Sequence, residues 1–196
     1  MNKPGRRGPY RKTNQRRAEI IQAALAQYAT SDAGGPTLKA IAEHVGIAES
    51  ALLYHFGSRE ELFWAIVRAR DEQDRFAERG KLLDDSDFKK LGAMIAHNAE
   101  TPGLVKLFLE FAVAATSPTH PAHEYLRGRY ADMLQTLSAG LQHAKGMEPE
   151  RADWLARVLL AATDGLQIQW LLNGETDMRK DLERLIDLAL DKATAN

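Results

Sequence analysis

The sequence predicts an all-α protein of about nine helices. Three observations lead there. Apolar residues recur at three- and four-residue spacing almost throughout, and no run of alternating β-branched residues marks a strand. The seven prolines (Pro4, Pro9, Pro36, Pro102, Pro118, Pro121 and Pro149) fall in a tail or between periodic segments, avoiding the cost of about 3 kcal/mol of a proline inside a helix. The 196 residues, 44% hydrophobic and 27% charged, have the composition of a globular chain large enough to bury its own core.

What is absent narrows the chemistry. There is no cysteine, which excludes a disulfide framework, a thiolate metal site and a cysteine nucleophile. The basic opening is followed by no apolar signal-peptide core, and no stretch approaches the roughly 20 uninterrupted apolar residues of a membrane helix. Leu107 to Ala115 contains Glu110, and Leu155 to Leu172 contains Arg157, Asp164, Gln167 and Gln169. A cytoplasmic protein with no membrane partner is expected. No phosphate-binding loop, dinucleotide-binding glycine pattern, nucleophile elbow or zinc-protease pair occurs. His120 and His123 have metal-ligand spacing but no obvious third ligand, and read as a solvated cap. No enzyme, metal or cofactor is expected.

Net charge is only −1, but it is unevenly placed. Residues 1–59 hold nine Lys/Arg against four acids, whereas residues 60–196 hold 17 against 23. A basic end on an acidic body is the electrostatic layout of a polyanion binder.

Taken in order, the first helix runs from about Thr13 to Thr30 and buries Ile20, Ile21, Ala24, Leu25 and Tyr28; Gly34, Gly35 and Pro36 end it. Short helices follow at about 37–44 and 48–54. The fourth starts at Ser58, which forms a capping box with Glu61, and runs to about Arg79 with Leu62, Phe63, Ile66 and Val67 on one face. Helices at about 86–99, 103–116 and 121–145 come next, the last two introduced by Thr101-Pro102 and His120-Pro121. The final pair, about 149–173 and 176–193, is the most apolar. In the eighth, Leu155, Val158, Leu159, Ala162, Leu166 and Trp170 form a stripe that Leu160, Ile168, Leu171 and Leu172 widen past one face, so two sides need covering.

The informative stretch is Thr37 to Phe56. Two helices of one or two turns are unstable alone and must pack on a neighbour. Ile41 and Val45 anchor the first, Ala42 permits a close crossing, and Gly46 suits the positive-φ residue of a sharp turn. Ile47, Leu52 and Phe56 return the second helix to the same core. A support helix, a tight glycine turn and an exposed second helix make a helix-turn-helix.

In Arg17, Ile20, Ile21, Ala23, Ala24 and Leu25, then Thr37, Ile41-Ala42, Val45-Gly46-Ile47, Leu52, Tyr54-His55-Phe56 and Ser58-Arg59-Glu60-Glu61-Leu62, the chain resembles the TetR family of bacterial transcriptional regulators. The resemblance covers about residues 13–65. It implies a basic tail (1–12), a three-helix DNA-binding domain (13–65, motif about 37–56) and a larger helical ligand-binding and dimerisation domain (66–196). The implied function is a repressor that binds a near-palindromic operator as a homodimer and is released by a small-molecule effector. An activator or corepressor of the same fold, and an oligomerisation module without DNA binding, are the alternatives. The family's frequent recognition-helix tyrosine falls on Leu53 here, with the aromatic at Tyr54 instead.

For DNA, the candidates are Arg11 and Lys12 in the basic opening, Thr37 and Lys39 at the support helix, Ala48, Glu49 and Ser50 as base-facing residues, Tyr54 and His55 on phosphates, and Arg59 as a backbone clamp. The opening from Arg6 to Arg17 would track the backbone or enter a minor groove. Thr37 equally suits a plain N-cap, Tyr54 a packed aromatic, and Glu49 a first-turn acid favoured by the helix dipole. For an effector, Met94, His97, Asn98, Phe108, Phe111, Tyr130, Met133 and Gln167 supply apolar walls with a few polar handles. No acid or base dominates that set, so a mostly apolar or weakly polar metabolite is expected, acting through helix four. For the dimer, Ala161, Ile168, Leu172, Leu182 and Ile186 are the candidates.

Overall fold

The computed structural model describes residues 9–78 and 94–191. Among these residues are nine helical stretches and no strand: α1 (Pro9–Thr30), α2 (Leu38–His44), α3 (Glu49–Phe56), α4 (Arg59–Glu78), α5 (94–99), α6 (Pro102–Ala114), α7 (His123–Lys145), α8 (Pro149–Asn173) and α9 (Met178–Asp191). Residues 1–8 of the expected tail and 86–93 of the expected fifth helix lie outside the described residues. No described helix is long and apolar enough to cross a membrane.

Helix starts follow local chemistry. α1 begins at Pro9, ahead of the expected start near Thr13, so Arg11 and Lys12 stand in its first turn. Proline's fixed φ and missing N–H suit a first helical residue, as they do at Pro102 and Pro149. Thr37 caps α2, its hydroxyl oxygen accepting the Ala40 N–H at 3.1 Å. Ser58 caps α4 through the Glu61 N–H at 3.1 Å, with Glu60 and Glu61 at the positive end. α7 corrects the expectation. Pro121 is not its first residue, because a turn holds the chain until His123. In that turn His120 Nδ1 accepts the Ala122 N–H at 3.2 Å, and His123 Nδ1 lies 2.8 Å from the Ala115 carbonyl. Both imidazoles are engaged locally, and no metal-holding group of three His, Cys, Asp or Glu forms among the described residues.

Two hydrophobic cores result. The first joins Ile20, Ile41, Leu52, Leu62 and Ile66 to Leu104, Leu107 and Phe111, so the core that holds α1 to α4 runs on into α6. The second gathers Ile95, Leu141, Leu155, Leu159, Leu182 and Ile186 from α5, α7, α8 and α9. The predicted turn after α2 is present: Gly46 has φ +68°, a left-handed conformation that costs glycine nothing.

Gly103 has a different reason. A Cβ there would lie 2.9 Å from the Tyr28 carbonyl oxygen and 3.0 Å from that of Asp32, and would also overlap the Ser31 hydroxyl. Its missing side chain lets the start of α6 dock onto the end of α1, where the positive pole of one helix meets carbonyls at the negative pole of the other. Gly103→Ala should therefore lower stability by about 1–3 kcal/mol through overpacking. Gly128→Ala, exposed on α7 with open space around it, should raise stability by about 0.5–1 kcal/mol. Urea denaturation of the two variants beside the wild type checks both signs.

Candidate nucleic-acid interface and internal cavity

The helix-turn-helix presents one outward surface. Thr37 and Lys39 on α2, Ala48, Glu49, Ser50 and Tyr54 on or beside α3, and Arg59 at the start of α4 are all exposed. Tyr54 is 86% exposed, which removes the packed-aromatic alternative. The adjacent Leu53 takes the packed place, against the core. Lys39 reaches Glu43 at 3.8 Å along α2, and Arg59 lies over the Phe63 ring at 4.8 Å, leaving both side chains at the surface. His55 is half-buried, and its Nδ1 is buried without a hydrogen-bond partner among the described residues. The side chains of Arg11 and Lys12 lie outside what is described.

The end of the basic opening behaves otherwise than expected. Arg16 donates to the Val45 carbonyl at 2.9 Å and pairs with Glu19 at 2.8 Å. Arg17 donates to the His55 carbonyl and stacks on Phe56 at 4.3 Å. Both guanidinium groups thus satisfy carbonyls at the ends of α2 and α3, where helices leave acceptors unpaired. They hold the motif onto α1 instead of reaching along a DNA backbone. Their spacing in α1 is the only sequence signal for this, and it is shared with any surface arginine pair.

Between α4, α5, α6, α7 and α8 lies a cavity of about 60 Å³. Of the expected effector residues, Met94, Asn98, Phe108, Met133 and Gln167 line it, and Tyr130 reaches it through a hydrogen bond to Asp164 at 2.9 Å. His97 and Phe111 do not. His97 points outward beside Glu100 at 3.7 Å, because α5 faces the cavity with residues 94 and 98, one turn apart. Phe111 packs edge-on to His120 in the first core, a turn beyond the part of α6 that the cavity touches.

The expectation of apolar walls with a few polar handles, no acid or base dominating, is also corrected. Arg70, Asp71, Arg129 and Asp164 line the cavity. Asp71 is buried and accepts from Arg129 Nε at 2.6 Å and from the Tyr125 hydroxyl. Its neighbour Arg70 donates to Asn98 at 2.6 Å. Arg129 lies over the Phe108 ring at 4.7 Å. Burial holds the Asp164 carboxyl above the usual carboxylate range, against the lowering pull of the Tyr130 hydroxyl and the charge of Arg129. Burial also pushes the Tyr130 hydroxyl well up, reinforced by the negative charge of Asp164. Asp164, interrupting an apolar run, was the one readable sign of a polar cavity.

Comparison with known proteins supplies the family. Residues 20–66 match bacterial regulatory proteins of the tetR family, and residues 90–195 match the C-terminal region of BetI-type transcriptional repressors. The chain belongs to the TetR family. The HTH-type transcriptional repressor AcnR of Corynebacterium diphtheriae is 26% identical over 177 residues, covering 89% of this chain and 90% of that one. The HTH-type transcriptional regulator BetI 2 of Chromohalobacter salexigens is 29% identical over 170 residues, covering 82% and 79%. The fold is that of a transcriptional regulator from Rhodococcus sp. Rha1, with a TM-score of 0.62 at 23% identity over 90% of this chain and 94% of that one. This TetR-family protein is accordingly a DNA-binding transcriptional regulator, not an enzyme.

Regulators of this family bind DNA operators, dimerise and respond to small molecules. On this TetR-family chain, Ile168 and Leu172 lie one turn apart on α8 and are 47% and 81% exposed, and Ala161 is exposed on the same helix. Leu182 and Ile186 are corrected: both are buried in the second core, so the inward stripe of α9 covers this chain's own α8. The exposed leucine of α9 is Leu188, which the sequence reading did not single out.

The Asp71 cluster is the strongest energetic statement in the site. Asp71→Ala would leave Arg129 buried without its partner, a loss of about 3–5 kcal/mol. Asp71→Asn keeps an acceptor for Tyr125 and should cost less. Chemical denaturation of both variants, read by circular dichroism, checks the order.

Proposed function

We propose that this regulator is a ligand-responsive repressor that binds a near-palindromic operator as a homodimer and lets go when a small molecule occupies the internal cavity. The observation that carries the reading is the double membership of α4. Leu62 and Ile66 belong to the core beneath the recognition helix, while Val67, Arg70 and Asp71 stand in the cavity wall. A ligand that favours a different wall geometry shifts the same helix that positions α3, which is the differential interaction a switch requires. Repressor names among the relatives, AcnR and the BetI-type C-terminal match, favour repression over activation. The division into a DNA-binding part over 13–65 and an effector part over 66–196, and a cytoplasmic location on DNA, belong to the same proposal.

In this reading α3 enters the major groove. Ala48, Glu49 and Ser50 meet base edges, Tyr54 and His55 meet phosphates, and Thr37, Lys39 and Arg59 with Arg11 and Lys12 position the backbone. Two heads sit about 34–36 Å or a multiple apart. The dimer face is Ala161, Ile168 and Leu172 of α8 with Leu188 of α9, an exposed apolar strip of the kind that association buries.

Mobility shifts on upstream DNA over a salt series test the whole reading. Log affinity should fall with log salt at a slope of about 0.9 per phosphate neutralised. The double variant Ile168→Glu, Leu172→Glu should sediment as a folded monomer and lose operator affinity. A full-affinity monomer would refute the homodimer.

Glu49 offers a sharper measurement. As a groove-facing carboxylate it accepts from a cytosine amino group and repels misplaced phosphates. Glu49→Gln should then raise nonspecific affinity and reduce discrimination at one base pair per half-site by about 1–3 kcal/mol. A library of single-substituted operators measures it. A uniform change across all positions would leave Glu49 as a first-turn acid only.

A further inference from the structure

The polar groups of the cavity are unequally committed. Both oxygens of Asp71 are taken, one by Arg129 and one by Tyr125, and Arg129 also sets Nη1 against the Met133 sulfur at 3.2 Å. Arg70 is engaged with Asn98. Asp164 differs. Tyr130 donates to its Oδ2, and among the described residues no Lys, Arg or His lies within 4 Å of its carboxylate. One turn along α8, Gln167 is only 5% exposed, lines the same cavity, and its amide has no hydrogen-bond partner among the described residues. That amide is open to the cavity and able to pair with an occupant, its carbonyl oxygen accepting and its NH₂ donating.

Resting on the reading of this cavity as the effector site, we propose that its ligand is a small organic cation bearing N–H donors, held between Asp164 and Gln167. A protonated primary amine is the simplest member of that class. Its N–H groups reach the free oxygen of Asp164 in a charge-assisted hydrogen bond and the amide oxygen of Gln167 in a neutral one. The apolar part of the ligand lies against Leu104, Leu107 and Leu160. A quaternary ammonium fits worse. It has no N–H to give, and it is recognised by the faces of aromatic rings. Among the described residues the aromatic ring in this wall is Phe108, and Arg129 already covers it at 4.7 Å. An anion meets the negative charge of Asp164, while Arg129 is occupied by Asp71 and Arg70 by Asn98.

At roughly 10–15 Å³ per water-sized group, a cavity of about 60 Å³ has room for about four to six such groups, so butylammonium is a probe of suitable size. The raised carboxyl of Asp164 agrees with this placement, since burial outweighs the lowering charge of Arg129 there. Binding should therefore weaken as the pH falls and Asp164 takes up a proton.

The test is calorimetric titration of the full-length regulator at neutral pH with four probes: n-butylammonium, n-butyltrimethylammonium, 1-butanol and butyrate. Saturable binding is expected for butylammonium, at least tenfold tighter than for the other three. Asp164→Asn should weaken it at least tenfold while preserving the hydrogen bond from Tyr130, and Gln167→Leu should weaken it severalfold; melting curves confirm that both fold. Leu160→Phe, which fills the cavity, should abolish it. If butyrate or the quaternary ion binds best, and Leu160→Phe abolishes that binding, the cavity remains the effector site and the amine class is wrong. If the amine binds but Asp164→Asn leaves its affinity unchanged, the assignment of Asp164 is wrong. If no probe binds, or binding survives Leu160→Phe, the cavity reading and the amine class fail together.

Discussion

The buried pair of Asp71 with Arg129 is the constraint on which the arrangement turns. Asp71 sits on α4 and Arg129 on α7, and the Tyr125 hydroxyl, also from α7, closes the remaining oxygen of the carboxylate. Taking two charges out of water gives little or no net stability against a hydrophobic pair of the same volume. It does specify geometry, because neither group tolerates losing the other. α4 is thereby pinned to α7 in the wall of the cavity, beside the edge-on contact of Trp64 with Tyr125. α6 adds a second connection, its glycine-bearing start docked on the end of α1 and its apolar face forming another wall of the cavity. The DNA-reading head is thus held by two helices that both touch the place where a ligand would sit.

The head itself is a small set of short helices, and its rigidity comes from α1. Two helices of seven and eight residues cannot persist alone. Ile20, Ile41, Leu52 and Phe56 provide the apolar part of the answer. Arg16 and Arg17 provide the polar part, by satisfying carbonyls near the ends of α2 and α3 that would otherwise face partial burial unpaired. Some of the excess positive charge of residues 1–59 is therefore spent on folding, and the charge available to DNA is smaller than the count suggests.

Much of this was legible in the sequence because it depends on local chemistry. Proline at helix starts, Thr37 and Ser58 as caps, Gly46 at a positive φ, and the three-and-four spacing of Ile21, Ala24, Leu25 and Tyr28 are properties of a few neighbouring residues. So were the wide apolar face of α8 and the membership of Met94, Asn98, Phe108, Met133 and Gln167 in one cavity, since each follows from helical periodicity. The failures share a cause. Pro121 was misplaced as a helix start because two histidines stabilise a turn that no propensity describes. Leu182 and Ile186 were assigned to a partner because a stripe does not say which neighbour covers it.

By itself, then, the sequence determined the fold class, the position of the helix-turn-helix and the family, all of which rest on spacing along the chain. Only the tertiary structure decided the roles of the charged side chains. Arg17 belongs to the packing of α3, Asp71 and Arg129 neutralise each other inside the protein, and Asp164 stands in the cavity outside any ion pair among the described residues. The physical reason is that the energy of a buried charge depends on what lies within a few ångströms of it. Asp71 and Arg129 are 58 positions apart in the chain, and no periodicity relates them.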